Sequence, residues 1–209
     1  LMFSATMPKD MDEIAGTYLR DPIRVQVAPP GKPVERISQG VHYIPTGDKA
    51  KLLESYLKNH VSEQALVFSR TKHGADKLAK LLGGWGFKVG AIHGNRSQNQ
   101  RDRILSEFKG GEVDVLVATD VAARGIDIPT VRHVYNYDMP NVPENYVHRI
   151  GRTARAGADG SSISFCAPAE MGELQAVEKM LKTPLPVIGG APWAADIVVV
   201  VHPTAGPLS

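Results

Sequence analysis

The chain has 209 residues, of which 43% are hydrophobic, and its 24 basic and 22 acidic side chains leave a formal net charge of +2. This length provides enough apolar material for one compact core, while the near-neutral charge excludes a chain that is polycationic over its whole surface. A single cysteine, Cys166, excludes a disulfide framework and a C-x-x-C metal site, and its apolar neighbours predict a buried, inert thiol.

Short apolar runs rich in β-branched residues alternate along the chain with longer segments of helical periodicity. This alternation predicts an α/β fold in which a parallel sheet is flanked by helices on both faces. The predicted strands are Val41 to Ile44, Ala65 to Ser69, Val89 to His93, Val113 to Ala118, His133 to Asn136 and Ser161 to Cys166. The predicted helices are Lys49 to His60, Gly74 to Gly83, Ser97 to Lys109, Pro143 to Ala154 and Ala169 to Lys182.

The last 26 residues, Pro184 to Ser209, have a different composition, with several prolines and glycines, one acidic residue and no lysine or arginine. Their apolar segment, Ile197 to Val201, would form either an added strand or an aggregation-prone tail. This segment is the longest apolar run of the chain and is far too short to span a bilayer. Because no signal peptide is recognisable either, we expect a cytoplasmic location and no membrane partner.

Polar residues follow four of the predicted strands at their carboxyl ends. In open parallel sheets, ligands bind outside these ends, where the N-termini of the following helices present free N–H groups. The four segments are Ser69-Arg70-Thr71, His93-Gly94-Asn95, Thr119-Asp120 and the arginine-rich helix after Asn136. One edge of the sheet is therefore the predicted ligand site.

The segment from Tyr146 to Arg155 carries three arginines and one histidine. On a single helix, His148, Arg152 and Arg155 are at i, i+4 and i+7, so their side chains would form one cationic stripe. Like charges at this spacing repel each other, and a bound phosphate would relieve the repulsion through bidentate hydrogen bonds. The alternative is a basic helix face in contact with solvent.

These segments resemble, in the same order along the chain, the motifs of the DEAD-box RNA helicases, and the bacterial RhlE type is the nearest subgroup. The resemblance runs from residue 1 to about residue 182. The matching segments are Ser4-Ala5-Thr6 for motif III, Ala65 to Lys72 for motif IV, Gln98 and Arg101 for Q-x-x-R, Ala118 to Pro129 for motif V and His148 to Arg155 for motif VI.

The resemblance implies the second of two RecA-like halves. The chain contains neither a G-x-x-x-x-G-K-[ST] phosphate loop nor an Asp-Glu-Ala-Asp box, so Mg²⁺ and most of the ATP are expected on the N-terminal RecA-like domain of the same protein. We therefore expect a fragment of a longer protein. Its predicted parts are the end of the N-terminal domain (1–28), an interdomain linker (29–36), the C-terminal RecA-like domain (37–183) and an atypical tail (184–209).

The resemblance also assigns roles to individual residues. Arg152 and Arg155 would reach the γ-phosphate of ATP as catalytic residues, and Asp127 would bind the ribose. RNA-backbone contacts with little sequence preference are implied for Thr71, Gly94, Gln98, Arg101 and Thr119. Coupling between the two domains is implied for Ser4, Thr6, Arg124 and His148. No metal ligand is expected in this chain, and the implied activity of the whole protein is ATP-dependent unwinding of RNA duplexes.

Several of these residues also have purely structural interpretations. Thr71 and Thr119 would serve as helix N-caps, Gly94 would permit a tight turn, Arg101 would be a solvated side chain and Asp127 a turn residue. Ser97 and Gln100 are predicted to form a capping box. Asp120 is predicted to cap a helix from Val121 to Arg124, which Gly125 would end in a left-handed turn. Ala154 replaces the family's common glycine, and because alanine favours helix by roughly 1 kcal/mol, we expect it to be tolerated.

Three other functions remain open from the sequence. The chain could be an RNA-binding module without catalysis, a domain that mainly binds other proteins, or part of a DNA helicase of the same superfamily. The match to the DEAD-box forms of motifs V and VI disfavours the DNA helicase.

Overall fold

The computed structural model describes residues 9–18, 37–124, 128, 131–154 and 159–193. Its strands are β1 (Ile37–Tyr43), β2 (Ala65–Phe68), β3 (Val89–Ile92), β4 (Val115–Ala118), β5 (His133–Asn136), β6 (Gly160–Cys166) and β7 (Val187–Gly189). Its α-helices are α1 (Lys9–Tyr18), α2 (Lys49–Asn59), α3 (Lys72–Gly84), α4 (Gln98–Lys109), α5 (Asp120–Ala123), α6 (Pro143–Ile150) and α7 (Met171–Leu181). The predicted linker and the segment Ile197 to Val201 lie outside the described residues.

The described strands form one sheet in the order β3-β4-β2-β5-β6-β1-β7, and every pair of neighbouring strands is parallel. The predicted parallel sheet is therefore confirmed, and all six predicted strands occur in it. β2, β4 and β5 are four residues long and buried throughout, as expected for central parallel strands that are covered on both faces.

Helices cover both faces of the sheet. Leu66 and Phe68 of β2 pack in a cluster with residues of α4 and α5, whereas Ala65 and Val67 of the same strand pack with residues of α2 and α3. This division follows from the alternation of side chains along a strand. A third cluster joins α6 and α7 to β1 and the end of β6.

Strand β7 was not predicted from the sequence. It extends the sheet beyond residue 183 by pairing with β1, and a Cβ atom at Gly40 would lie 2.7 Å from a methyl carbon of Ile188. The strand can therefore approach β1 because Gly40 has no side chain. Farther along, the Trp193 indole N–H donates a 3.1 Å hydrogen bond to the carbonyl oxygen of Cys166. Residues up to Trp193 thus pack onto the domain.

The arginine-rich helix is shorter than predicted. Helix α6 ends at Ile150, and Thr153 forms a parallel β-bridge with Val131, reinforced by a 2.6 Å hydrogen bond from its hydroxyl to the Val131 carbonyl. The prediction that Arg152 continues the same helix as His148 is therefore wrong. The tertiary hydrogen bonds of Thr153 outweigh the helical propensity of this segment.

Ala154 is also placed differently from the prediction. Its φ angle is +54°, which is left-handed backbone that glycine adopts without strain. The expected gain in helical propensity is therefore wrong, because alanine at a left-handed position costs roughly 1 kcal/mol instead. The position favours the glycine that is common in the family.

The Cys166 thiol is buried, and burial raises its pKa to about 12. The thiol is therefore protonated at neutral pH, which confirms the prediction of an inert cysteine. As for membranes, no helix in the described ranges is both long and apolar enough to cross a bilayer.

Candidate functional site at the carboxyl edge of the sheet

Three of the predicted RNA-binding residues lie at the carboxyl ends of neighbouring strands. Thr71, Gly94 and Thr119 follow β2, β3 and β4, which are adjacent in the order β3-β4-β2. The backbone N–H of Thr119 donates a 3.2 Å hydrogen bond to Ile92, so the sheet pairing continues into these loops. Helices α3, α4 and α5 begin at the same edge, and the first N–H groups of a helix have no partner within the helix.

Both threonines occupy N-cap positions, but only one of them caps its helix with its side chain. The Thr71 hydroxyl accepts a 3.0 Å hydrogen bond from the backbone N–H of Gly74. Thr119 makes no such bond and is buried. The prediction that Asp120 caps a helix from Val121 is wrong, because Asp120 is the first helical residue and its carboxylate binds Arg149 instead.

Gly94 lies in an exposed loop whose base is held by partly buried polar contacts. The His93 imidazole donates a 2.9 Å hydrogen bond to Asp76, and Arg96 donates one of 2.7 Å to the same carboxylate. Burial by itself raises the pKa of Asp76, but the hydrogen bond and charge of His93 and the charge of Arg96 outweigh it and lower this pKa. An ideal Cβ at Gly94 would meet no atom within 4 Å. The domain itself therefore does not require glycine at this position.

The predicted capping box at the start of α4 is confirmed in both hydrogen bonds between Ser97 and Gln100. In the first turn, Gln98 donates a 2.7 Å hydrogen bond to Asp102. Arg101 donates a 3.2 Å hydrogen bond to the carbonyl oxygen of Ala122. The interpretation of Arg101 as a purely solvated side chain is therefore wrong, because its guanidinium group contacts α5.

Arg149 is a central residue that the sequence analysis did not identify. It is buried, and its guanidinium group binds both carboxylate oxygens of Asp120 at 2.7 and 2.8 Å. It also donates to the Asp138 carbonyl at 2.7 Å and to the Asn136 amide oxygen at 3.2 Å. The sequence feature that could have identified Arg149 is its position on the same face of α6 as Tyr146 and Ile150, which are both buried. The ion pair fixes the start of α5 against α6.

A second unpredicted network supports the loop after β2. Lys49 is buried and donates a 2.5 Å hydrogen bond to Glu170 and a 2.7 Å hydrogen bond to the Tyr137 carbonyl. Asp138 accepts hydrogen bonds from the backbone N–H of Arg70 at 2.8 Å and from the Ser69 hydroxyl at 3.1 Å. These contacts fix the backbone immediately before Thr71.

A small cleft between α5 and α6 is lined by several cationic residues. Its lining includes Arg124, His148, Arg149 and Arg152. Arg124 donates a hydrogen bond to the Asn145 side chain of α6. Burial, together with the positive charges of Arg124 and Arg152, lowers the pKa of His148. Asp120 also lines the cleft and offsets the charge of Arg149, and three arginines against one carboxylate favour an anionic ligand.

Within this cleft, the Nε2 atom of His148 is buried and has no hydrogen-bond partner among the described residues. The Arg152 guanidinium group contacts the Ala123 carbonyl oxygen at 3.5 Å. His148 and Arg152 thus lie near each other, as predicted, although they do not share a helix. Arg155, Asp127, Ser4 and Thr6 lie outside the described residues, and the left-handed turn predicted at Gly125 does so as well.

Comparisons of sequence and of structure with known proteins point to the same family. Residues 48–157 match the family described as Helicase conserved C-terminal domain. The ATP-dependent RNA helicase RhlB of Shewanella sp. (strain W3-18-1) is 44% identical over 187 residues, which are 90% of this chain and 43% of that protein. RhlB of Shewanella oneidensis is 43% identical over the same share of each chain. The chain therefore spans less than half the length of these relatives.

Solved structures agree with the sequence comparison. The Escherichia coli DEAD-box protein SrmB, bound to regulator of ribonuclease activity A, matches with a TM-score of 0.70 and 36% identity over 76% of this chain and 92% of that chain. Dbp5 of S. cerevisiae, bound to RNA and ADP BeF3, matches with a TM-score of 0.77 and 32% identity over 88% of this chain and 50% of that chain.

Proposed function

Because this chain belongs to the helicase conserved C-terminal domain family and has the RecA-like fold of the DEAD-box C-terminal domain, we propose that it is one half of an ATP-dependent RNA helicase. In this proposal the other half is an N-terminal RecA-like domain of the same protein, which holds Mg²⁺ and most of the ATP. The named activity of the RhlB relatives supports this assignment. The RhlE subgroup and the cytoplasmic location stay predictions.

The RNA surface in this proposal is the carboxyl edge of β3, β4 and β2. Thr71, Gly94 and Thr119 lie side by side there, and the N-termini of three helices supply N–H groups for phosphate oxygens. Gln98 and Arg101 add polar and cationic side chains from the first turn of α4. Such contacts recognise the RNA backbone, so we expect little sequence preference.

The ATP surface in this proposal is the cleft between α5 and α6. Arg152 and Arg155 would stabilise the negative charge that develops on the γ-phosphate, and Asp127 would accept hydrogen bonds from the ribose. The unpartnered Nε2 atom of His148 supports a contact with the N-terminal domain, where Ser4 and Thr6 are predicted to belong.

The observation that carries the proposal is the position of α5 between the two surfaces. Arg101 of the RNA surface contacts the carbonyl oxygen of Ala122, and Arg152 of the ATP surface contacts that of Ala123. A short helix thus joins one residue of each set. Arg124, the next residue along the chain, would couple the two surfaces through its hydrogen bond to Asn145.

The test replaces the arginines in the complete protein. We expect Arg152→Ala, and separately Arg155→Ala, to lower RNA-stimulated ATP hydrolysis by roughly 10³-fold or more, because an arginine at a transferring phosphoryl group has an effect of this size. The melting temperature of Arg152→Ala should stay nearly unchanged, because Arg152 is only partly buried.

Arg132→Ala is the matched control, because Arg132 is an exposed arginine just before β5 at the opposite edge of the sheet. This variant should hydrolyse ATP at the normal rate. Normal hydrolysis by both the Arg152 and the Arg155 variants would refute the assignment of the ATP surface.

A further inference from the structure

A second cluster of ligand-type side chains lies at the amino edge of the sheet, away from the proposed nucleotide and RNA surfaces. It consists of His60 at the end of α2, Glu63 in the following turn and His133 at the start of β5. One nitrogen or oxygen atom from each residue lies within 4.8 Å of the corresponding atoms of the other two. His133 begins its strand whereas Asn136 ends it at the carboxyl edge, so about 10 Å of strand separates the two sites.

One of the distances in this cluster already fits a tetrahedral ion. The Nδ1 atom of His60 is 3.4 Å from the Oε2 atom of Glu63. Ligand atoms that are about 2.0–2.1 Å from a tetrahedral zinc ion lie roughly 3.3 Å from one another. The same carboxylate oxygen of Glu63 also contacts the Nε2 atom of His133 directly, so this pair would have to separate for an ion to enter.

The Ser161 hydroxyl holds the His133 ring in the way that a hydrogen-bond partner holds a metal-binding histidine. Its Nδ1 atom is 2.7 Å from the Ser161 hydroxyl, and the ring is buried, so the Nε2 atom faces His60 and Glu63. A hydrogen bond at the far nitrogen of a ligating histidine fixes its ring and its tautomer. If an ion replaces the proton between Nε2 and Glu63, a proton on Nδ1 towards Ser161 leaves the Nε2 lone pair available to the cation.

The donor atoms of the cluster are of the kinds that zinc binds. The rings of His60 and His133 have centroids 4.0 Å apart, and the Glu63 carboxylate contacts one nitrogen of each ring. Two imidazoles and one carboxylate form a donor set that suits zinc.

We propose that His60, Glu63 and His133 bind a Zn²⁺ ion whose fourth ligand is water. Without the ion, a direct hydrogen bond joins Glu63 and His133 instead. Binding would join the end of α2, the turn after it and β5, so its main effect is on the stability of the amino edge. The guanidinium group of Arg132 has the same sign of charge as the ion and lies near enough to act on the cluster electrostatically, but it donates a 3.2 Å hydrogen bond to the Asp159 carbonyl.

The test is Zn²⁺ binding by the chain after removal of any affinity tag and of bound metal. We expect calorimetry at neutral pH to give one site, and Co²⁺ in place of Zn²⁺ to give the strong visible absorption of a tetrahedral complex. His60→Gln and Glu63→Gln should each weaken Zn²⁺ binding by at least about tenfold, which is the smallest loss seen even for residues that only orient a ligand. Both residues are partly exposed, so neither variant should unfold the domain.

His73→Gln is the matched control, because His73 is an exposed histidine on α3 outside the cluster. It should bind Zn²⁺ as tightly as the unchanged chain, and Zn²⁺ should raise the melting temperature of both but not of His60→Gln. Binding should be lost as the pH falls, since protons compete for the imidazoles and the carboxylate. Equal affinity in the His60, Glu63 and His73 variants, or no Co²⁺ absorption from the unchanged chain, would overturn the proposal and leave the cluster as a hydrogen-bonded ion pair.

Discussion

Gly94 illustrates how the surroundings of one residue separate a ligand role from a structural one. It is exposed at the end of β3, has no positive φ angle and leaves open space where a Cβ would be. A tight turn therefore does not explain the glycine. This open space is consistent with our proposal that a phosphate approaches the backbone here.

We predict that Gly94→Ala in the complete protein keeps the melting temperature but weakens RNA binding by about tenfold, equivalent to about 1.4 kcal/mol. The added methyl group meets no protein atom and would instead meet the RNA backbone. Fluorescence anisotropy with labelled single-stranded RNA and a non-hydrolysable ATP analogue measures the affinity. Gly47→Ala is the control, because Gly47 also has open space around it but follows β1, well away from β3 in the sheet. Equal affinity in the two variants would contradict the RNA contact at Gly94.

At the scale of elements, α5 has only four residues, and a helix this short is not stable by itself. Arginines from other segments stabilise it at both ends. Arg149 binds Asp120 at its start and Arg101 binds the carbonyl oxygen of Ala122 at its end, whereas the contact of Arg152 with Ala123 is longer, at 3.5 Å. Carbonyl groups at a helix end have no partner within the helix, so these contacts provide them with hydrogen-bond donors.

We predict that Arg149→Ala lowers the free energy of unfolding by about 3–5 kcal/mol, because it leaves the Asp120 carboxylate without its buried partner. The loss of donors to Asn136 and Asp138 acts in the same direction. Urea denaturation of the chain measures the change. Arg103→Ala is the control, because its ion pair with Glu107 is exposed and contributes less than about 1 kcal/mol. Similar midpoints for the two variants would show that the pair does not stabilise α5.

At the scale of the whole molecule, the residues proposed to act on ATP belong to only one wall of the nucleotide site. The sequence contains no phosphate loop and no acidic box to bind the phosphates and Mg²⁺. The arginines of this chain can therefore complete a catalytic site but cannot form one. Closure onto a second domain would be needed before hydrolysis.

We predict that the purified chain alone shows no RNA-stimulated ATP hydrolysis. A phosphate-release assay with and without single-stranded RNA measures it. The complete protein, purified in the same way, is the positive control. Stimulated turnover by the isolated chain that survives Arg152→Ala would indicate a contaminating enzyme, whereas turnover that Arg152→Ala removes would refute the split site.

Local features of the sequence determined much of this structure. The alternation of apolar runs with helical periods predicted six of the described strands and the parallel sheet, and the serine and glutamine of the capping box marked the start of α4. The apolar neighbours of Cys166 predicted its burial. Such signals depend on residues a few positions apart, so they can be recognised without knowing the fold.

Other features were decided only by the tertiary structure, because they join residues far apart in the chain. The strand order β3-β4-β2 brings Thr71, Gly94 and Thr119 together, and no local pattern specifies that order. Arg149 and Asp120 are 29 positions apart, and Thr153 ends the arginine segment's helix through a partner 22 positions away. Periodicity and propensity describe a helix by itself, whereas its last residue and its buried charges depend on what packs against it.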